Sequence, residues 1–400
     1  MIRKLAYLGA VLVLGVALAL SAQKSKPLLP PDPYFNEPLA RSNPYRSEQV
    51  AELNRYIRRL RPDPTRLKGV FEPDFTSERA YERSTRKLRA SFAQSIGYPP
   101  PGDRNDEPPR FQKIGEDAIG DYFRAHIPVL PGVHVVGLYI VPRQVSGRRP
   151  LVISMHGGGA SPEAALFNGG SGYHDMVRGG IKRGYVVFAP THLFRADSYP
   201  PNIRVRTDEQ LRMVGTSLTA VEIAKISRAL DVLLKRPEVD PNRVAMVGLS
   251  YGGYYALGAS ALDARIKVVV SSCYLGVQEY RSEREDKLVP WDRMTQDQRA
   301  YEEYRYQQGI TGVPRDFQFM DRLSLFRDPA LVALICPRAL EIQVGERDDA
   351  PVREKGKEFA PECASYYERL KRGDRFRFVV FPGGHEFWDR TAWEWVEKHL

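Results

Sequence analysis

From residue 111 onward, short apolar runs alternate with stretches of helical periodicity. The runs at 133–141, 151–155, 185–189, 244–247, 267–272, 340–344 and 376–381 are rich in β-branched and aromatic residues. Between them, Ile223, Ile226, Leu230 and Leu233 mark one face of a helix over 218–234. Strands that are nearly continuous apolar runs, separated by helices, predict a mostly parallel sheet covered on both faces. The first run, near Val133, is expected at the antiparallel edge. The interval 274–327 breaks the rhythm with charge and with Trp291, Tyr301, Tyr304 and Tyr306. It reads as an insertion, either a lid or sugar-stacking surface or plain loop.

Before residue 111 the pattern is different. Val50, Leu53, Ile57 and Leu60 recur at helical spacing, as do Tyr81, Leu88, Phe92 and Ile96, and Gly97 and Pro99 then act as stop signals. Both stripes are narrow, as on helices docked to a larger body. The segments 98-YPPPGD-103 and 107-EPP-109 read as a stiff linker. At the very start, Arg3 and Lys4 precede an apolar run over 5–20, followed by Ser21 and Ala22. This is the order of a secretory signal peptide. The run falls short of the ~20 residues of a spanning helix. The expected division is therefore a signal peptide at 1–22, a Pro-rich helical extension at 23–110 and a catalytic domain at 111–400. No second long apolar run follows, so no stable membrane span is expected after cleavage. The chain is expected to be exported, to the periplasm or beyond, with a retained N-terminal anchor as the alternative.

Composition narrows the function classes. Apolar residues at 42% and charged residues at 27% are ordinary for a globular chain of 400 residues. The 59 basic against 49 acidic residues give a net charge of +10. The arginines are interspersed with acids, as in 279-EYRSERED-286, with no nucleic-acid-binding module around them, so a solvated basic surface is the reading. Cys273, Cys336 and Cys363 have no CxxC spacing and are too few for a disulfide framework. His126, His134, His174, His192 and His399 likewise lack metal-ligand spacing. No metal and no cofactor is expected.

Three segments carry chemistry. In 244-VAMVGLSYGG-253 a G-x-S-x-G follows an apolar strand and opens a small-residue helix. A turn that tight requires glycines around the serine and lifts its hydroxyl into the open, which makes Ser250 the nucleophile candidate. Upstream, 151-LVISMHGGGA-160 ends a strand in glycines whose amides can turn toward one point. Acyl transfer needs such donors for its oxyanion, together with the amide after the nucleophile. Gly157, Gly158 and Tyr251 are the candidates, and His156 is expected to orient the loop. Tyr173, His192 and Phe194 follow loops near the expected mouth, as pocket lining or as filler. Downstream, 340-LEIQVGERDD-349 and 376-FRFVVFPGGHEFW-388 each end a strand, the first in acids and the second in His385. A serine needs a base, and an imidazole needs a carboxylate to hold its tautomer. Ser250, then Asp348 or Asp349, then His385 supplies that set.

That order resembles the α/β-hydrolase superfamily, in particular its prolyl-oligopeptidase/dienelactone-hydrolase-like and acetyl-xylan-esterase-like branch. The likeness rests on 237-PEVDPNRVAMVGLSYGG-253 and 330-ALVALICPRALEIQVGERD-348, with Ala339 where that branch has a second proline. It covers residues 111–400 and implies an α/β-hydrolase fold, with the insertion after the sixth strand. The G-x-x-D of the pattern implies Asp348 as the acid. Glucuronoyl esterases usually have arginine where Tyr251 stands, so they are set aside. Glu341 and Gln343 stand out inside a strand that should be buried, and Arg338 is the charge at hand for pairing. The reading is an exported serine esterase acting on a small-molecule or carbohydrate ester. Its rivals are a serine peptidase of the same fold, acting on short peptides, and a non-catalytic binding protein.

Overall fold

The computed structural model describes residues 37–61, 64–143, 145–158, 160–167, 172–174, 176–192, 203–277, 279, 293–297, 299–300, 303 and 318–400. The signal-peptide segment, Phe194, Trp291, Tyr301, Tyr304, Tyr306 and most of the insertion lie outside these residues. The chain forms two units, divided between Arg58 and Arg59. The first contains nearly all of α1 (Leu39–Arg59), a helix with Pro44 inside it and with Val50, Leu53 and Ile57 exposed.

The second unit is built on a nine-stranded sheet: β1 (Arg110–Glu116), β2 (Gly120–Leu130), β3 (Val133–Pro142), β4 (Arg149–Met155), β5 (Val186–Pro190), β6 (Val239–Leu249), β7 (Val268–Ser272), β8 (Ala339–Gly345) and β9 (Phe376–Phe381). Their spatial order is β1-β2-β3-β5-β4-β6-β7-β8-β9. The pairs from β1 through β3 to β5 are antiparallel, and those from β5 through β4 to β9 are parallel. β4, β5, β7 and β8 are buried along nearly their whole length, as strands covered on both faces must be. The mostly parallel α/β sheet is as expected. Its edge is not. β3 lies inside the sheet, because β1 and β2 extend the antiparallel side beyond it. β1 escapes a pattern reading because it is almost entirely exposed and polar, with a bulge between Lys113 and Gly115. The run at 267–272 is accordingly the seventh strand in chain order.

The helices of this unit are α2 (Pro64–Val70), α3 (Glu78–Ser84), α4 (Arg86–Ile96), α5 (Pro162–Phe167), α6 (Met176–Lys182), α7 (Ile203–Met213), α8 (Leu218–Leu233), α9 (Tyr251–Leu262), α10 (Asp328–Ile335), α11 (Ala350–Arg369) and α12 (Asp389–His399). α3 and α4 split at Thr85, and their stripe of Tyr81, Leu88, Phe92 and Ile96 is fully buried. Each such side chain contributes roughly 1.5–3 kcal/mol. They are also tied by polar contacts. The Tyr81 hydroxyl donates to the Ala333 carbonyl at 3.0 Å, and Ser217 Oγ to that of Ile96 at 2.6 Å. The helices over Glu78–Ile96 thus pack against the sheet-bearing body.

Two half-buried arginines finish the α9 helix. Arg338 donates to the carbonyls of Ser260, Asp263 and Ile266 at 2.5–3.1 Å, and Arg89 to those of Ala261 and Leu334. Burial pulls the Arg338 guanidinium down to about 10; the Ser260 carbonyl it satisfies is one the helix end leaves unpaired, and those of Asp263 and Ile266 belong to the loop that follows. Arg338 is therefore not the partner of Glu341.

That partner is Arg377, across the β8–β9 ladder. Its Nε donates to Glu341 Oε2 at 2.6 Å. Gln343 Nε2 reaches Glu341 Oε1 at 2.6 Å and the Trp388 carbonyl at 2.8 Å, while Gln343 Oε1 accepts from the Trp388 amide at 3.1 Å. Thr391 closes the network on Glu341 at 2.9 Å. Burial pushes the Glu341 carboxyl up, against the pull of Arg377. The network fastens β8 to the segment that enters α12, where Trp393 and Trp395 are buried on the sheet. Removing one partner of a buried ion pair strands the other. Arg377→Leu is expected to cost about 3 kcal/mol in urea unfolding. Adding Glu341→Gln should recover part of that loss, and strict additivity of the two substitutions would refute the coupling.

Candidate active site

Doubly wound sheets bind ligands at the carboxyl ends of strands, where successive crossovers leave in opposite directions. Here that point lies between β4 and β6, whose ends pair Met155 with Gly248. From β4 the chain crosses to β5 on one side, and from β6 to β7 on the other. Ser250 stands at this point, immediately after β6. Its backbone has φ 57° and ψ −113°, a conformation rare for any residue with a side chain. The turn is held by the Ser250 amide, which donates to the Ser272 carbonyl at 2.7 Å, and by the Tyr254 amide, which donates to the Ser250 carbonyl. A Cβ on Gly252 would lie 2.1 Å from the Met155 oxygen, so the elbow can approach β4 only with glycine there.

Asp348 and His385 come together at the ends of β8 and β9. Asp348 Oδ1 lies 2.9 Å from His385 Nδ1 and also accepts from the Asp349 amide at 2.7 Å. Asp349 instead precedes α11 as its cap residue. The Asp348 side chain is fully buried, whereas that of His385 is 46% exposed. Burial works against the Asp348 charge. The His385 bond and charge, the Cys273 thiol and the Asp349 amide outweigh it, and the carboxyl sits below its ordinary value.

Across the elbow, the β4 loop brings Gly157 against the serine. A Cβ on Gly157 would meet Ser250 Cβ at 3.3 Å. The Gly157 amide donates to the Tyr173 hydroxyl at 2.8 Å, so in the resting site that donor is engaged. Gly158 is exposed. Tyr251 is the first residue of α9, and its amide is one of those that the helix ladder does not use. The Tyr251 ring is one layer of a buried stack. His192 lies 5.3 Å from it at 15°, and His156 lies 4.0 Å from His192 at 12°. On the Tyr251 ring sits the Arg204 guanidinium, at 4.1 Å, hydrogen-bonded to the hydroxyls of Tyr251 and Tyr255. Burial pushes both imidazoles down, His192 most strongly, which keeps them neutral beside the cation. His192 Nε2 is 2.8 Å from the His156 carbonyl, so this pair braces the loop rather than acting on Ser250.

The comparisons with known proteins agree on the architecture. The family model for fungal glucuronyl esterases matches residues 217–370. Among curated proteins, the Bacillus subtilis hydrolase YtaP is 35% identical over 65 residues, 16% of this chain and 22% of its own. The Aspergillus clavatus hydrolyase ccsE is 29% identical over 181 residues, 39% of this chain and 36% of its own. The chain thus spans little more than a third of these curated relatives at most. A Bacteroides fragilis structure described as an acetyl xylan esterase superposes with a TM-score of 0.63 at 14% identity, over 82% of this chain and 81% of that one. A glucuronoyl esterase from Solibacter usitatus gives 0.52 at 14% identity, over 80% and 93%. At such identities the likeness is one of fold. The chain shares the α/β-hydrolase fold. The family-model match is to the esterases that Tyr251 had set aside, and it spans both Ser250 and Asp348.

Around this elbow, Arg204, His174 and Cys273 escape a sequence reading, and Tyr173, expected as pocket lining or filler, instead holds a loop amide. Arg204 sits on a polar helix with no pattern to single it out. Tyr173 and His174 share one short turn: Tyr173 holds the Gly157 amide, and His174 Nε2 lies 2.5 Å from Glu386 Oε2. The Gly172 carbonyl takes the Phe387 amide at 2.7 Å, so the same turn supports the loop bearing His385. Cys273, at φ 57° after β7, brings its thiol beside Asp348 and His385. Because the Asp348 carboxyl is depressed in the folded state, its stabilisation is full above the unfolded value. It is lost as pH falls through the folded value. Asp348→Asn should therefore flatten the fall in urea midpoint below about pH 4. An acid limb as steep as in the wild type would contradict the Asp348–His385 pairing.

Proposed function

We propose that the chain is an exported serine hydrolase that cleaves carboxylic esters through an acyl-enzyme, with Ser250 as nucleophile, His385 as base and Asp348 as orienting acid. The observation that carries this reading is the His385–Asp348 contact of 2.9 Å, formed at the carboxyl ends of β9 and β8 on the sheet that presents Ser250 at its elbow. Export rests on the basic and apolar pattern of the first 22 residues.

Ser250 Oγ attacks the ester carbonyl while His385 Nε2 takes its proton. Asp348 holds Nδ1–H and so keeps Nε2 as the acceptor, then stabilises the imidazolium that forms. The same imidazolium protonates the leaving alcohol, and a water deprotonated by His385 releases the acid. Charge develops on the carbonyl oxygen at the start of α9, where the Tyr251 amide and the helix dipole favour it. The facing donor is on the Gly157–Gly158 loop. An incoming oxygen either displaces the Tyr173 hydroxyl from the Gly157 amide or accepts a hydrogen bond from that hydroxyl, so Tyr173 governs the second donor. The acetyl xylan and glucuronoyl esterases among the similar structures favour a carbohydrate ester as substrate.

The test is turnover of p-nitrophenyl acetate, butyrate and octanoate, with alanyl- and prolyl-p-nitroanilides alongside. Ser250→Ala and His385→Ala should bring ester turnover to background. Asp348→Asn is expected to lower kcat by about 10⁴-fold, while Asp349→Asn retains most activity. Full turnover by Ser250→Ala sinks the reading, and anilide turnover rivalling that of esters moves the enzyme to the peptidase side.

A further inference from the structure

We propose that Cys273, Asp348 and His385 form a capture site for a soft divalent cation, Zn²⁺ or Cd²⁺, whose binding arrests the enzyme. One ligand atom from each residue lies within 4.8 Å of the other two. A thiolate, an imidazole and a carboxylate make a donor set suited to zinc-like ions rather than to Mg²⁺ or Ca²⁺. Ligands held at ~2.0–2.3 Å around a tetrahedral ion stand roughly 3.5 Å apart, so closing the site takes movements of about 1 Å. His385 can supply such a movement, since its side chain is half exposed and follows Gly383 and Gly384.

The other two ligands are already in place. Cys273 is held at φ 57° by its amide's bond to the Gln343 carbonyl at 2.8 Å, and its side chain is buried. Its Sγ lies 3.4 Å from the Glu386 carbonyl, 3.9 Å from that of Gly384 and 3.6 Å from Ser272 Oγ. The Glu386 carbonyl is thus a further oxygen at the site. The second oxygen of Asp348, Oδ2, is buried without a hydrogen-bond partner. An unpartnered carboxylate oxygen is costly in a protein interior, and a cation would satisfy it. Burial pushes the Cys273 thiol far up, and the Asp348 charge pushes it further, so without an ion the sulfur stays protonated. A bound dication reverses that balance. The sequence gives no hint of the site, because its three ligands end three different strands.

The proton accounting explains the arrest. The cation binds the Cys273 sulfur, whose proton leaves to solvent, together with a carboxylate oxygen of Asp348. It takes the lone pair of His385 Nδ1, and the Nδ1 proton is relocated to Nε2 through water. One proton is released in total. Nε2 then carries a hydrogen and has no lone pair for the Ser250 proton. The arrest rests on the proposed triad, whereas the capture site does not.

The experiment titrates full-length protein with Zn²⁺ and Cd²⁺. It follows p-nitrophenyl acetate turnover and the ultraviolet Cd–thiolate charge-transfer band, with Mg²⁺ and chelator reversal as controls. Wild type is expected to show one Cd–thiolate band per chain and chelator-reversible inhibition, with no response to Mg²⁺. Ser250→Ala should keep the band, since serine is not a ligand. Cys273→Ala and Cys273→Ser, checked by thermal melting, should weaken both effects at least ~10–100-fold, the loss that even outer-shell partners cause. Inhibition that is unchanged in both cysteine variants, or a wild type without the band, overturns the site. A band without inhibition, in an enzyme whose turnover survives Ser250→Ala, overturns the triad reading instead and leaves the capture site standing.

Discussion

The site depends on a backbone that a serine would not adopt unaided. Left-handed geometry at Ser250 costs of order 1–3 kcal/mol and persists only where the surroundings over-determine it. Three constraints do so here. The β7 carbonyl of Ser272 takes the Ser250 amide, α9 begins on the Ser250 carbonyl, and Gly252 lies against the Met155 oxygen where no Cβ fits. The serine's position is thereby set by β4, β6 and β7 together. Because β6 is central in the sheet, that geometry is held by fully buried ladders on either side.

The base side is organised differently. His385 is on a half-exposed loop after the last strand, at the edge of the sheet. Precision there is supplied by side chains instead of by backbone ladders. Asp348 holds the imidazole, and the Glu341–Gln343–Thr391 network fixes the segment after it. The turn at Gly172–His174 ties the same loop to the oxyanion side. Ser250 is thus fixed by backbone and His385 by side chains, a division that suits the proposed reaction, in which the histidine takes a proton from one oxygen and delivers it to another.

The parallel sheet and the serine elbow were legible because both are written locally. β-branched runs fix buried strands, and glycines around Ser250 mark a turn that tolerates no side chain. The order of the acid and the histidine was legible as the likeness to a superfamily. What stayed hidden depends on contacts between distant segments. β1 carries no apolar signal, so β3 was expected at the edge. Glu341 looked misplaced in a buried strand until Arg377 was seen on the adjacent one. Tyr173 was expected only as pocket lining or filler, whereas it bonds the Gly157 amide, and Arg204 acts on Tyr251 from a polar helix that no spacing along the chain announces. The helices at 78–96 were legible as helices docked to a larger body, and their stripe of Tyr81, Leu88, Phe92 and Ile96 is indeed buried.

All three cysteines are buried and unpaired, and none spans two elements as a covalent tie. The fold therefore draws no stability from oxidation. Reducing agents should leave its melting behaviour unchanged, and the same chain can reach this structure in a reducing or an oxidising compartment. Where the protein works is then a matter of its address alone, since the chemistry of its surroundings is not needed to hold it together.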